Sequence, residues 1–397
     1  MDRNLQRSNL GIRCSQLSHD ECIIYFINVI QKIASPLTKS AQSVGDAQLI
    51  KTMKKIQLSG TPKDIGFQHG ELLKDQIHHT LTSYKEWFLI HLGSEKIVLS
   101  AARSYKKLIE EYNPDFITEI DHIALGAEVE EPLWLYALNS RTELVVPMKN
   151  ECTALVFPQH NIIGQTWDWA QFLEGQFAVM EIEFQSGHKI LQLTEAGMIG
   201  KIGMNNQGLG LTLNLIRIQD QELMGVPVHI VLRAILESKD IDSGLDEIRR
   251  SGNGKASSVI LSQKGNSVIV EFIGTETHHK VINDPFYVHT NHYLYAPDSI
   301  KVAEDSYIDS VYRYSKATDL GQGIRDYSMD EMIKILSDRS NLEYPILANF
   351  EPYSLVGSCG TLATVIMDLE NACMKIRVGN PSSSVFAFDD FISFDLE

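Results

Sequence analysis

The chain of 397 residues is 44% hydrophobic and 22% charged, which indicates a folded globular protein with one large domain or two modest ones. Its formal charge of −16, from 51 acidic and 35 basic residues, argues against a nucleic-acid partner, because such binding relies on Lys and Arg to neutralise phosphates. No run approaches the roughly 18 to 20 apolar residues of a membrane span, so none is expected.

The first part of the chain is predicted to be helical. Residues 1–48 lack a regular hydrophobic period, and we interpret them as an N-terminal extension. In the segment 49–151, apolar residues recur every three to four positions between Thr61-Pro62 and Gly93, which predicts one long amphipathic helix. Further helices are predicted over 95–112, 115–125 and 132–139.

The hydrophobic period changes at Cys152, where short β-rich runs separated by turns begin. Strands are predicted at "TALVF", "FAVMEIEF", "KILQLT", "GLGLTLNLI", "SSVILS", "SVIVEFI", "TLATVIMD", "CMKIRV" and "VFAFDD". Helices are predicted between them, near 227–239, 241–250, 300–317 and 328–338. Paired strands without a βαβ rhythm favour an α+β fold, in which two packed antiparallel sheets lie between helices as four αββα layers.

The cysteine and histidine patterns predict no metal site. Five cysteines are scattered without a C-x-x-C pair, which favours a reducing compartment over a disulfide framework or a zinc site. We therefore expect a cytoplasmic protein, with peroxisomal and secreted locations left open. His289 and His292 lie three apart and would face opposite sides of a strand, so one packed and one exposed histidine are expected.

A phosphate-binding loop is also unsupported. The segment "SGNGKASS" at 251–258 lacks the first glycine of that motif and the Ser or Thr after its lysine. We interpret it as a turn that enters a strand.

Cys152 is distinguished by the segment that follows it. Alone, a cysteine that opens an apolar strand is ordinarily a small buried hydrophobic residue. In "GQTWDW", however, Asp168 lies between Trp167 and Trp169 in a pattern that predicts a strand. An unpaired buried carboxylate is costly, so Asp168 requires a partner unless it lies on a solvent-exposed face.

Several spaced segments resemble one family in the same order. They are "CTALVF" with "GQTWDW", "LTEAGMIGKIGMNNQGLGLTLN", "GVPVHIVLRAILES", "VHTNHY", and "SCGTLATVIMD" followed by "IRVGNP". Over roughly residues 55–395 the chain resembles the acyl-coenzyme A:6-aminopenicillanic acid (isopenicillin N) acyltransferase family of the N-terminal nucleophile hydrolases. The resemblance implies their αββα fold and an amidohydrolase or acyltransferase activity.

Precursors of this family cleave themselves immediately before the nucleophile. The resemblance thus implies cleavage between Glu151 and Cys152 into a leader chain, 1–151, and a catalytic chain, 152–397, which stay associated. A thiol is a good nucleophile when a base takes its proton, and an N-terminal residue carries its own base. That base is an α-amino group with a pKa of about 7.7 to 8.0.

The resemblance implies roles for four further residues. Asp168 matches the aspartate that orients the nucleophile, and Asn291 matches the asparagine whose side-chain amide donates to the oxyanion. Asn205 matches a position that lines the oxyanion site, largely through its backbone N–H, and Ser358 matches a serine near the nucleophile. For Asn205 and Ser358 the alternative is a turn residue that fixes backbone geometry.

Three residues depart from the pattern. Cys359 replaces an arginine that could bind a carboxylate or tune the thiol, and Gln165 replaces an arginine of related hydrolases. Glu151 replaces the glycine before the nucleophile, where its side chain could crowd the strained bond or act as an acid.

We therefore expect a self-processing cysteine enzyme that hydrolyses or transfers the acyl group of a small N-acyl compound. A β-alanyl amine, an N-acyl amine and a penicillin-type amide are all compatible substrates. No cofactor or metal is implied, although an acyl-coenzyme A thioester could be a donor. The alternatives are an unprocessed papain-like thiol hydrolase and a catalytically inactive small-molecule binding protein of the same fold.

Overall fold

The structure, a computed structural model, describes the unit Met53–Glu397 except at a few short segments. The described residues are 53, 55–145, 152–216, 225–252, 254–274, 276–295, 304–352, 357–383 and 386–397. The expected extension 1–48 and Glu151 of the expected cleavage site lie outside these residues.

Helices dominate the described residues that precede Cys152. They are α1 (Pro62–Leu72), α2 (Lys74–Leu92), α3 (Glu95–Tyr112), α4 (Pro114–Gly126), α5 (Leu133–Asn139) and α6 (Arg141–Leu144). Thr61 and Asp64 form a reciprocal capping box that starts α1, and Gly93 ends α2 in the left-handed conformation at φ 79°.

The single helix expected between Thr61 and Gly93 is wrong, because the chain leaves the helical conformation at Leu73, where φ is −115°. The break lets the two helices pack against different neighbours, since α1 packs mainly against α4 whereas α2 packs against α3. The regular apolar period continues through the break, so it could not reveal the change of direction.

The strands alternate with the remaining helices along the chain. The strands are β1 (Lys55–Gly60), β2 (Ala154–Phe157), β3 (Ile162–Ala170), β4 (Phe177–Phe184), β5 (Lys189–Glu195), β6 (Ile202–Asn205), β7 (Gly210–Leu215), β8 (Gly254–Gln263), β9 (Asn266–Gly274), β10 (Glu276–Val281), β11 (Tyr287–His289), β12 (Glu351–Pro352), β13 (Ser358–Asp368), β14 (Cys373–Val378) and β15 (Ile392–Asp395). The later helices are α7 (Val228–Glu237), α8 (Ile241–Arg250), α9 (Glu304–Gln322) and α10 (Met329–Leu336).

These strands form two sheets. The first has the order β1-β4-β5-β6-β7-β8-β9-β10, and it is antiparallel except where β1 runs parallel to β4, with Lys55 opposite Val179. The second has the order β11-β2-β3-β13-β14-β15, with β12 beside β13, and all its pairs are antiparallel. The expected α+β fold with two antiparallel sheets is confirmed.

The alternation of side chains along β2 places the second sheet between two apolar layers. Ala154 and Val156 belong to the core that contains both sheets. Leu155 and Phe157 point the other way, into a cluster with residues of α9 and α10. Helix α7 contacts β5, β6, β7 and β8 of the first sheet. Sheets thus lie against each other with helices outside, as the predicted layer order requires.

Two local predictions are wrong. Residues 386–390 of the expected strand "VFAFDD" form no strand, and β15 occurs later, where Ile392 pairs with Ile376 of β14. The histidines of "HTNH" are both buried rather than one packed and one exposed, because α9 packs over β11. His289 Nε2 lies 3.0 Å from Glu271 Oε1, and His292 Nδ1 lies 2.7 Å from Ser310 Oγ.

Among the described residues, no helix combines the length and hydropathy that a membrane span requires.

Candidate active site

Cys152 lies immediately before β2 and is half-buried. Its carbonyl oxygen accepts hydrogen bonds from Asn214 Nδ2 of β7 at 2.8 Å and from Arg313 Nη1 of α9 at 3.0 Å. The amide of the buried Thr153 donates to Thr166 Oγ1 of β3 at 3.0 Å. Both sheets and one outer helix therefore fix the backbone that carries the thiol.

The residues around the thiol enclose a small cavity between the sheets, with about 320 Å³ of empty volume including the part open to solvent. Its walls contain both Cys152 and Asp168, so the structure brings these two predicted site residues together. The lining consists of Arg141, Cys152, Gln165, Trp167, Asp168, Trp169, Lys201, Ile202, Leu213 and Leu215.

Asp168 is buried, with 1% of its surface exposed, so the solvent-face interpretation is wrong. Neither carboxylate oxygen meets the full geometry of a hydrogen bond with a described residue, although the Thr361 and Thr166 side chains lie near enough to favour the ionised form. Burial raises the pKa of Asp168 to about 7, against smaller lowering effects of the nearby Thr361 hydroxyl and the Arg313 charge. The cavity therefore contains a buried carboxyl group that has no charged partner among the described residues.

Arg313 connects the backbone of Cys152 with Asn291. Its Nη2 donates to Asn291 Oδ1 at 2.9 Å and to Asp309 Oδ2 at 2.7 Å, while Nη1 donates to the Cys152 carbonyl. Asn291 Nδ2 in turn donates to the carbonyl of Leu215, a residue of the cavity wall, at 2.8 Å. The side chain of Asn291 is thus held in a fixed orientation, in contact with the wall residue Leu215.

Asn205 and Ser358 are not among the residues that line the cavity in the described structure. The backbone N–H of Asn205 donates to Leu209 O at 2.9 Å, and its Nδ2 donates to Leu236 O and Ser238 O at 2.9 and 2.7 Å. This geometry matches the turn interpretation of Asn205. Ser358 is partly exposed and begins β13.

Gln165 in β3 and Cys359 in β13 are two of the residues that depart from the family pattern. Gln165 joins the sheets, because its Oε1 accepts from the Leu213 amide at 2.7 Å and its Nε2 donates to the Leu213 carbonyl at 3.2 Å. Cys359 is buried in β13 opposite Ala170.

A buried cluster of charges contributes two cations, Arg141 and Lys201, to the cavity wall. Arg141 Nη2 and Lys201 Nζ both donate to Glu195 Oε1, at 2.7 and 2.6 Å. The two cations pull the pKa of Glu195 below its usual range, although burial opposes its ionisation. Burial lowers the pKa of Lys201 to about 8, although Glu195 acts in the opposite direction.

Sequence reasoning did not identify Arg141, Lys201 or Arg313. Lys201 interrupts the apolar run "GMIGKIGM", and a lysine within a buried segment is a usable signal because lysine is almost never fully buried without a partner. Arg313 lies in a polar helix, so its sequence surroundings contained no such signal.

Two packed antiparallel sheets, outer helices and a thiol beside a buried acid define the class as an α+β protein with a cysteine-containing cavity. The profile of the acyl-coenzyme A:6-aminopenicillanic acid acyl-transferase family matches residues 157–383, and the chain belongs to this family. A curated relative, the "Acyl-coenzyme A:6-aminopenicillanic-acid-acyltransferase 40 kDa form" of Emericella nidulans, is 26% identical over 341 residues, which cover 83% of this chain and 94% of the relative.

Two solved structures are also similar. The Caenorhabditis elegans ortholog of N-acylethanolamine-hydrolyzing acid amidase is 17% identical, with a TM-score of 0.41 over 61% of this chain and 100% of that chain. A variant of the conjugated bile acid hydrolase of Clostridium perfringens is 12% identical, with a TM-score of 0.40 over 62% and 92%. The family match itself confirms the expected amidohydrolase or acyltransferase class.

Proposed function

We propose that this protein is a self-processing cysteine enzyme that hydrolyses or transfers the acyl group of a small N-acyl compound, with Cys152 as nucleophile. The observation that carries the proposal is the buried Asp168, which shares a cavity with Cys152 and has no ion-pair partner among the described residues. Cleavage before Cys152 would create an α-ammonium group beside it. That group would provide the opposite charge that a buried carboxylate requires.

In the proposed processing step, the Cys152 thiol attacks the carbonyl carbon of Glu151. A C–S bond forms, the C–N bond breaks, and the thiol proton ends on the new amino group. Water then hydrolyses the thioester and releases the carboxyl end of the leader. Asn214 and Arg313 support this step because they hold the Cys152 carbonyl, and so the backbone at the bond, in place.

In the proposed turnover, the α-amino group of Cys152 takes the thiol proton, and the thiolate attacks the substrate carbonyl. The amine leaves with the proton, and water or a second amine takes the acyl group from sulfur. We assign Asn291 as a side-chain donor to the oxyanion, because Arg313 fixes its amide next to the cavity wall. Such a donor typically lowers the activation free energy by about 2.7 to 4 kcal/mol. Asn205 and Ser358 then support the surrounding backbone.

The cavity walls favour an apolar acyl group. Trp167, Trp169, Ile202, Leu213 and Leu215 contribute large apolar surfaces around the thiol. The name of the Emericella nidulans relative specifies an acyl-coenzyme A donor, which supports thioesters as alternative acyl donors here. No cofactor or metal takes part in these steps.

Acid-quenched mass spectrometry during turnover tests the proposal. A panel of β-alanyl amines, N-acyl amines, penicillins and acyl-coenzyme A thioesters is mixed with the wild type, Cys152→Ala and Cys373→Ala. We expect an acyl adduct on the peptide that starts at Cys152 in the wild type and in Cys373→Ala, whose half-buried thiol lies outside the cavity. Absence of any adduct and of turnover across the panel would instead favour the inactive binding protein.

The role of the free α-amino group distinguishes the proposed mechanism from the papain-like alternative. Selective acetylation of the processed N-terminus removes the proposed base but leaves the thiol in place. We expect turnover to fall by at least about a hundredfold, the lower range for loss of a general base. Unchanged turnover after complete acetylation would favour a side-chain base, and hence the unprocessed type of mechanism.

A further inference from the structure

The charge cluster in the cavity contains two cations that contact one carboxylate. The Arg141, Lys201 and Glu195 side chains are at most 3% exposed. Glu195 is the one carboxylate that forms an ion pair with either cation within the described residues, and it also accepts a hydrogen bond from the Tyr84 hydroxyl at 2.8 Å. The contacts within the cluster therefore leave an excess positive charge in a buried place.

The other acids near the cavity form no ion pair with Lys201 or Arg141 within the described residues, although Asp168 lines the same cavity. The charge of Glu143 acts on Arg141, and Glu143 Oε1 accepts a hydrogen bond from the Val228 amide. The cation that acts most strongly on Asp168 is Arg313, at the other part of the site. A buried excess charge is costly, so an additional anion at Lys201 and Arg141 would be stabilised strongly.

The cations also have hydrogen-bond capacity left for such an anion. An ammonium carries three donor hydrogens, and within the described residues Lys201 Nζ makes one hydrogen bond, to Glu195. Arg141 uses one hydrogen on each of its two terminal nitrogens, toward Thr142 Oγ1 and Glu195 Oε1. Hydrogens on both side chains are thus available to one further acceptor.

Two tryptophan rings hold these cations at the cavity wall. Lys201 Nζ lies 3.9 Å from the centre of the Trp167 ring, and Arg141 Cζ lies 4.1 Å from that of Trp169. Lys201, Arg141 and Cys152 line the same cavity, together with the apolar Ile202, Leu213 and Leu215 and the polar Gln165 and Asp168. An anion bound by the cations would therefore lie in the same small space as the thiol.

We propose that Lys201 and Arg141 form a carboxylate-binding subsite beside Cys152, so that the enzyme selects N-acyl substrates with a free carboxylate. A planar carboxylate suits both the forked donors of Arg141 and the small volume of the cavity. The subsite would replace the positive charge that is lost at Cys359. The statement about substrates rests on the proposed function, whereas the subsite itself is a property of the cavity.

The subsite can be tested without knowledge of the substrate. Iodoacetate and iodoacetamide alkylate thiols by the same displacement of iodide. Iodoacetate carries a carboxylate, whereas iodoacetamide carries a neutral amide in its place. Peptide mapping gives the rate ratio of iodoacetate to iodoacetamide at Cys152, with the ratio for N-acetylcysteinamide as reference. We expect the wild-type ratio to exceed the reference at least tenfold, since tenfold corresponds to about 1.4 kcal/mol, just below the usual range for a single hydrogen bond to a charged group.

Three variants assign the effect to the subsite. Lys201→Met is expected to bring the ratio within about threefold of the reference, because it removes the ammonium. Lys201→Arg keeps the charge and should keep the preference. Lys85→Met is the matched control, because Lys85 Nζ also lies over a tryptophan ring, 4.6 Å from that of Trp134, but does not line the cavity.

A wild-type ratio equal to the reference would overturn the subsite, and this comparison needs no variant that folds. An elevated ratio that persists in Lys201→Met would also overturn it. Failure of the proposed function is seen separately, because it removes acyl adducts and turnover while leaving the alkylation ratio intact. If turnover is found, a matched acid and carboxamide substrate should differ at least tenfold in kcat/KM, and equal values would contradict the substrate selection.

Discussion

Asp168 lies in surroundings that differ strongly from water. In the structure its carboxyl group is buried beside Trp167 and Trp169 without completing a hydrogen bond to a described group. Burial raises its pKa from 3.8 to about 7. A group held in this way changes stability with pH, and the direction follows from the shift.

The pH dependence of stability should reveal the buried acid in the uncleaved Cys152→Ala protein. Between pH 3.8 and about 7 the folded state holds a proton on Asp168 that the unfolded state has lost. The unfolding free energy should therefore fall as pH rises through this window, by up to about 1.4 kcal/mol per pH unit. Urea titrations at several pH values should show a weaker fall in Cys152→Ala with Asp168→Asn.

Equal slopes in the two proteins would contradict a raised pKa at Asp168. The processed wild type provides a further comparison. There the α-ammonium of Cys152 would lie near Asp168 and lower its pKa. The part of the slope that Asp168→Asn removes should then be smaller than in the uncleaved protein.

Among the elements, helices α1 and α4 show how the sequence fixes a packing distance. An ideal Cβ on Gly66 would lie 2.2 Å from Glu119 O, and one on Gly70 would lie 2.3 Å from Ile123 O. Both distances are far below van der Waals contact with backbone atoms that cannot move independently. Glycine at these positions therefore lets the two helices approach closely, and this contact holds the helical part that precedes Cys152 together.

Alanine substitutions at two helical glycines should have opposite effects. Gly66→Ala forces α1 and α4 apart and should lower the unfolding free energy by about 1 to 3 kcal/mol, the usual range for overpacking. Gly244→Ala in α8 is the matched control, because its added Cβ would meet Ile235 and Leu261 side chains at 3.4 Å, an ordinary contact. It should raise stability by about 0.5 to 1 kcal/mol. Urea unfolding of both variants measures the difference, and equal effects would contradict the close packing of α1.

The helices and the strand pairs could be predicted where local signals set their ends. Pro114 and Gly93 mark helix boundaries in the sequence, and both lie at or next to the observed helix ends. β1 was not predicted, because its partner β4 lies far along the chain and no turn connects them. The break at Leu73 was missed because tertiary packing, not the apolar period, decides it.

The candidate site was predictable only in part for the same reason. Cys152 lies just before β2 and Asp168 lies in the neighbouring β3, so their meeting follows from a local strand pair. Lys201 and Arg313 reach the site from distant segments through the packing of both sheets and α9. Their roles depend on contacts that no local pattern contains.

At the scale of the whole molecule, the segments before and after Cys152 share one sheet and one core. β1 pairs with β4 across the first sheet, and Arg141 forms its buried ion pair with Glu195 of β5. A second buried pair joins Glu119 of α4 to Arg233 of α7, with two hydrogen bonds of 2.9 and 2.7 Å. Cleavage of the backbone before Cys152 would leave all these contacts in place.

The two chains should therefore remain associated after processing. Size-exclusion chromatography in native buffer should give one peak that contains both chains, and about 8 M urea, above typical unfolding midpoints of about 2 to 6 M, should separate them. The uncleaved Cys152→Ala protein is the control for the elution volume. Separate native peaks for leader and catalytic chain would contradict a shared core.

Intact mass measurement of the purified wild type beside Cys152→Ala tests self-processing most directly. By share of length, 151 and 246 of 397 residues with a total of 44.7 kDa, cleavage before Cys152 gives chains of about 17 and 28 kDa. We expect both chains in the wild type alone, with terminal sequencing of the larger chain reading Cys-Thr-Ala-Leu. A single uncleaved chain in both proteins after days of incubation would contradict an N-terminal nucleophile.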